Sequence, residues 1–120
     1  MHEIIFFTNS RGKQPVLDYL EELSRKTDKS SRIKYSKILD YIEVLSEYGF
    51  SAGEPYLKHL DGSIWELRPL RDRVLFVAWA DNSFVLLHHF MKQTQKTPLR
   101  EIAKAKKEYE YLLGRSLTDE

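Results

Sequence analysis

The run Val74-Leu75-Phe76-Val77-Ala78-Trp79 is almost free of polar side chains, and it constrains the fold more than any other feature of the chain. A strand turns successive residues to opposite faces, so a run without polar positions suits a central strand covered on both faces. Its neighbours have the same period. Ile64-Trp65-Glu66-Leu67-Arg68 alternates apolar and polar, as a strand with one buried face does. Leu70–Asp72 reads as a turn, Asp81-Asn82 as a hairpin turn, and Phe84–Met91 as a further strand. Outside this meander the period becomes helical. After a β-like opening over His2–Thr8 and a turn at Asn9-Ser10-Arg11-Gly12, Pro15 suits a first helical turn, and Val16, Leu20 and Leu23 predict a helix over Pro15–Lys26. Thr27 or Asp28 caps a second helix with the stripe Ile38, Tyr41, Ile42, Leu45 and Tyr48, which Gly49 ends. Thr97 caps and Pro98 opens a last helix, whose stripe is Ile102, Ala105, Tyr109 and Leu112, with Gly114 near its end. The order βαα, β meander, α predicts an α+β fold. It has a small, mostly antiparallel sheet, an N-terminal helical hairpin and a C-terminal helix. At 120 residues and 42% apolar content, residues 1–120 are expected to form one domain with a packed core.

Several function classes are excluded. The chain has no cysteine, so disulfides, thiolate nucleophiles and cysteine–zinc sites are out of reach. It has no glycine-rich phosphate loop, serine elbow or paired-carboxylate motif. No apolar run approaches a membrane span. The opening Met1-His2-Glu3-Ile4-Ile5 lacks the basic flank and cleavage site of a signal peptide, so a cytoplasmic location without a membrane partner is expected. Net charge is only +1, but its distribution is uneven. Between Phe84 and Lys107, six basic residues (Lys92, Lys96, Arg100, Lys104, Lys106, Lys107) face one acid, Glu101. That zone carries +5 and the rest of the chain −4. A near-neutral protein with one basic zone can bind a polyanion locally.

Three constellations could carry chemistry. Alternation puts Glu66 and Arg68 on one face, and the turn brings Arg73 beside them. On an open sheet face, two guanidiniums and a carboxylate could hold a phosphodiester, because the planar guanidinium fork matches phosphate oxygens. From spacing alone, a cross-strand Arg–Glu pair on a solvated face is the favoured reading. In His88-His89-Phe90-Met91-Lys92, only His88 shares a face with Phe90 and Lys92. It is a candidate general acid or base, or else a histidine bonded at the rim of the core. The two histidines diverge and no carboxylate sits at ligand spacing beside them, so no metal is expected. Third, Arg100, Lys104 and Lys107 line one face of the last helix. They could meet RNA or an acidic partner, or simply be solvated.

Two segments carry a resemblance. Tyr56-Leu57-Lys58-His59-Leu60-Asp61-Gly62-Ser63-Ile64-Trp65-Glu66-Leu67-Arg68 resembles a lysine, leucine, glycine, tryptophan-glutamate-leucine-arginine signature. Leu86-Leu87-His88-His89-Phe90-Met91-Lys92-Gln93-Thr94-Gln95-Lys96-Thr97-Pro98 resembles a leucine-histidine-phenylalanine-lysine strand that runs into a threonine-proline helix start. Both belong to the phage-derived HigB-like branch of the RelE/ParE toxin superfamily. The resemblance implies a RelE-like fold and the toxin of a type II toxin–antitoxin system. It implies a ribosome-dependent mRNA interferase, a metal-independent endoribonuclease without cofactor that cleaves by 2′-hydroxyl attack. Carried over by position, it implies Arg68, Arg73, His88 and Lys92 as catalytic residues, with Arg68 and Arg73 on the scissile phosphate and His88 moving a proton. Lys96, Phe90, Arg71, His89, Arg100 and Lys104 are the implied RNA contacts. His89 stands where the branch often has a small residue, and Gln93 where a second lysine is common. Implied partners are the ribosome and mRNA and a HigA-like helix-turn-helix antitoxin, through which alone operator DNA is met. The same superfamily fold also hosts ParE-like gyrase inhibitors, and a non-catalytic RNA- or protein-binding module is a further alternative.

Overall fold

The computed structural model describes residues 1–118. The apolar run is a central strand. Strand β4 (Asp72–Trp79) lies between β3 (Ile64–Leu67) and β5 (Ser83–Met91), with β2 (Leu57–Asp61) and β1 (Glu3–Phe6) at the edges. Edge strand β1 runs parallel to β5, and the other pairings are antiparallel. The architecture is α+β and compatible with a RelE-like fold. Strand β2 was not anticipated. Only Leu57 is buried in it, and Lys58, His59 and Asp61 break the apolar pattern, as an edge strand permits.

Helices α1 (Pro15–Arg25) and α2 (Lys29–Tyr48) cover one face of the sheet, and α3 (Leu99–Thr118) covers the other. The Asp28 carboxylate caps α2 by accepting from the Ser31 amide at 2.9 Å, and Gly49 closes the helix at φ +56°. At that glycine a Cβ would lie 2.7 Å from the His2 ring, so a side chain there would have to push the ring aside. Two apolar layers sandwich the sheet. Val16, Leu20, Leu23, Ile38 and Leu45 meet Leu67, Val74, Phe76 and Leu86 on the α1/α2 side. On the α3 side, Ala105 meets Ile64, Leu75, Val77, Val85 and Leu87. Tyr48, expected in the α2 stripe, is exposed.

Two further differences from expectation shape the site. Strand β5 carries a bulge: Leu75 pairs with His88 but Phe76 with Leu86, so Leu87 is an extra residue. Thr97 does not cap α3. Helix α3 starts at Leu99, the Pro98 carbonyl accepts from the Ile102 amide, and the Thr97 hydroxyl donates to Glu66. Among the described residues no helix is long and apolar enough to cross a membrane.

Candidate functional site

The end of β3, the start of β4 and the end of β5 meet at one end of the sheet, on the face that α3 covers. The register pairs Glu66 with Leu75, Leu75 with His88 and Arg73 with Phe90, so alternation brings Glu66, Arg73, His88 and Phe90 to that face. Arg68 follows β3 on the same side, its Nε 3.7 Å from Glu66 Oε1. The expected open face is not what the structure shows. Glu66 is 2% exposed and Arg73 5% exposed, beneath the segment that leads into α3. Thr97 Oγ1 donates to Glu66 Oε2 at 2.7 Å and fixes that segment over the carboxylate. Arg73, Phe90, Lys92, Lys96 and Thr97 then line a small crevice.

The crevice is cationic because its bonds leave charge uncompensated. Arg73 Nη1 donates to the carbonyls of Leu70 and Asp72, both at 2.9 Å, so it holds the β3–β4 turn with neutral acceptors. Burial pushes the Arg73 guanidinium below its ordinary pKa. Glu66 opposes the shift and the like charge of Arg68 adds to it. Arg68 Nε is buried without a hydrogen-bond partner. Its Nη1 reaches the exposed Glu54 only at 3.9 Å. Among the described residues no ion pair engages Lys92 or Lys96. Arg73, Lys92 and Lys96 thus line the crevice, and the buried Glu66 carboxylate lies beside Arg68 and acts on Arg73. Such a gathering repels itself and favours an anionic ligand.

His88 lies beneath the crevice rather than in it. It is 1% exposed. Its Nε2 is 3.0 Å from Glu101 Oε1 and its Nδ1 2.5 Å from Glu108 Oε1. Both ring nitrogens are engaged, so the ring ties β5 to α3 and presents no nitrogen to solvent. The ring expected to move a proton is thus turned toward α3 in this structure. The signal for this latch was present in the sequence. Glu101, Ala105, Glu108 and Leu112 fall at i, i+4, i+7 and i+11, one face of a helix, and Ala105 is buried.

Two expected RNA contacts lie elsewhere. His89 points to the α1 side and stacks on Tyr19, ring centroids 3.7 Å apart and 11° from parallel. Arg71 turns toward α2 and lines a groove with Leu70 and Asp72, although its Nη2 donates to the Lys92 carbonyl at 3.2 Å. Arg100 and Lys104 are exposed on α3. Among the described residues no three His, Asp or Glu side chains converge as metal ligands.

Residues 18–110, more than half of the chain, match the family model described as phage derived protein Gp49-like (DUF891). No curated protein matches the chain.

Proposed function

We propose that this chain, which belongs to the phage-derived Gp49-like family, a toxin-like family of the RelE/ParE toxin–antitoxin group, cuts messenger RNA on the ribosome. The observation that carries the reading is the crevice lined by Arg73, Lys92 and Lys96, beside which Arg68 lies against the buried Glu66 carboxylate. A phosphodiester in a constrained single strand is the ligand such a cluster suits.

Cleavage joins the ribose O2′ to the adjacent phosphorus as its proton passes to water, and breaks the P–O5′ bond, leaving a 2′,3′-cyclic phosphate and a 5′-hydroxyl. The enzyme must align the attacking oxygen, stabilise charge on the phosphorane and protonate O5′. In this reading Arg68 and Arg73 hold the scissile phosphate, and Lys92 supplies the proton. Lys96 and Arg100 meet flanking phosphates, Phe90 offers an edge to a base, and Lys104 extends the basic track along α3. His88 is a positioning residue that holds α3 and, with it, the 92–98 segment. A HigA-like antitoxin is the proposed neutralising partner.

Primer extension on a defined mRNA in a cell-free translation reaction tests this, with and without ribosomes. Discrete cuts are expected only with ribosomes, and they should be lost in Arg68→Ala and Lys92→Ala proteins that melt as wild type does. Cuts without ribosomes would make the chain a free ribonuclease. No cuts from folded wild type would sink the reading, and a stalled DNA gyrase would then point to the ParE-like activity.

A further inference from the structure

The opposite face of the sheet carries a feature the cleavage reading leaves unused. Between the first half of α2 and the β3–β4 turn runs a groove whose apolar lining is Ile33, Leu70 and Met91, exposed by 45%, 52% and 47%. Single exposed apolar residues are ordinary, whereas three lining one concavity are the usual mark of an interaction site. Leu70 stands out further. It adopts φ +57°, a left-handed conformation that L side chains seldom take. The Pro69 carbonyl, accepting from the Asp72 amide, and Arg73, donating to the Leu70 carbonyl, lock the turn in that shape. The backbone thus holds an apolar side chain out at the groove edge under strain.

The rim is basic. Lys29, Lys34 and Arg71 border the groove. Among the described residues no ion pair engages Lys29 or Arg71, and the first turn of α2 contains no acid. The one carboxylate in the groove wall, Asp72, is buried and already occupied. It accepts from the Tyr19 hydroxyl at 2.9 Å and lies 3.9 Å from Lys34 Nζ. An apolar floor edged by Lys29 and Arg71, which no ion pair engages, and by Lys34 is complementary to an amphipathic segment with acids flanking its apolar residues.

We propose that this groove docks an acidic amphipathic segment of a protein partner. Its apolar side chains pack among Ile33, Leu70 and Met91, and its carboxylates meet Lys29, Lys34 and Arg71. RNA is the less suited occupant, because no aromatic ring lines the groove and a base would find no stacking platform. The inference stands apart from the cleavage reading, since the crevice lies on the α3 face and the groove on the α2 face.

The test is a random twelve-residue peptide-display library selected on the folded chain. Enriched peptides are expected to alternate apolar and acidic residues at helical spacing. Their affinity should fall about ten-fold or more on Leu70→Asp and on Lys29→Glu, and hold on Lys96→Ala. Both groove positions are exposed, and a melting curve for each variant confirms the fold. Leu70→Asp should still cleave mRNA, so loss of docking and loss of cleavage are read separately. Failure to enrich such peptides, or binding that survives both groove variants, would overturn the proposal. So would a twelve-nucleotide RNA that displaces the peptides from wild type and not from Lys29→Glu, or a dimer of the chain that Leu70→Asp dissolves.

Discussion

His88 and His89 are consecutive in β5, yet the sheet sends them into opposite environments. His88 lies under α3 between two carboxylates, with a polar partner on each nitrogen. His89 lies under α1 against the Tyr19 ring, and its buried Nδ1 has no partner. Burial pushes the His89 pKa below its ordinary value; Asp72 opposes this, and His88, Lys34 and Lys104 add to it. The same residue type serves as a hydrogen-bonded latch on one face and as an aromatic filler on the other. Side-chain chemistry at a strand position is therefore set by the layer that covers it.

Three substitutions can break or sharpen this contrast. The largest expected effect is His88→Ala. It leaves Glu101 and Glu108 facing one another without their shared partner and should cost about 3 kcal/mol, the low end for a broken buried pair, because both carboxylates can turn toward water. Urea denaturation measures it, and a loss under about 1 kcal/mol would show that the latch contributes little. Next is Tyr19→Phe on the other face. It removes the hydroxyl donated to Asp72, a bond that also raises the phenol's pKa along with its burial. A lost hydrogen bond to a charged acceptor should cost about 1.5–3 kcal/mol. The smallest is His89→Phe, which keeps the stack and removes an unbonded buried nitrogen, and its melt should lie within about 1 kcal/mol of wild type. Its signature is in the pH dependence. The folded chain resists protonation at His89, while the unfolded chain accepts a proton below about pH 6.5. Wild type should therefore lose stability as pH falls from about 6.5 toward the depressed folded value, and His89→Phe should lack that component. Parallel curves for the two proteins would contradict the burial argument.

The divergence of these histidines and the central strand were legible from the strand pattern, the Asp81-Asn82 hairpin from its turn residues, and the α2 cap as either Thr27 or Asp28, of which Asp28 serves. What alternation could not supply was the cover on each face. Glu66 and Arg73 share a face in the sequence pattern, but only tertiary packing buries them under the Thr97 segment. The Leu87 bulge is invisible to a period-two reading, because an inserted residue leaves no compositional mark. Helix α3 was read for its basic outer face, so Glu101 and Glu108 on the inner face went unassigned. Thr97-Pro98 carries the usual start signal of a helix, yet the helix begins at Leu99, one residue later than that signal places it, and the Thr97 hydroxyl donates to Glu66.

The central claim is that chemistry belongs to the α3 face alone. Single-turnover cleavage of a ribosome-bound mRNA, followed by primer extension for wild type, Arg68→Ala and His89→Phe, tests it most directly. The account predicts that Arg68→Ala slows cleavage by about a hundred-fold or more, as loss of a charge-stabilising donor does, while His89→Phe cuts at the wild-type rate and positions. Full activity from folded Arg68→Ala, or its loss in folded His89→Phe, would contradict the account.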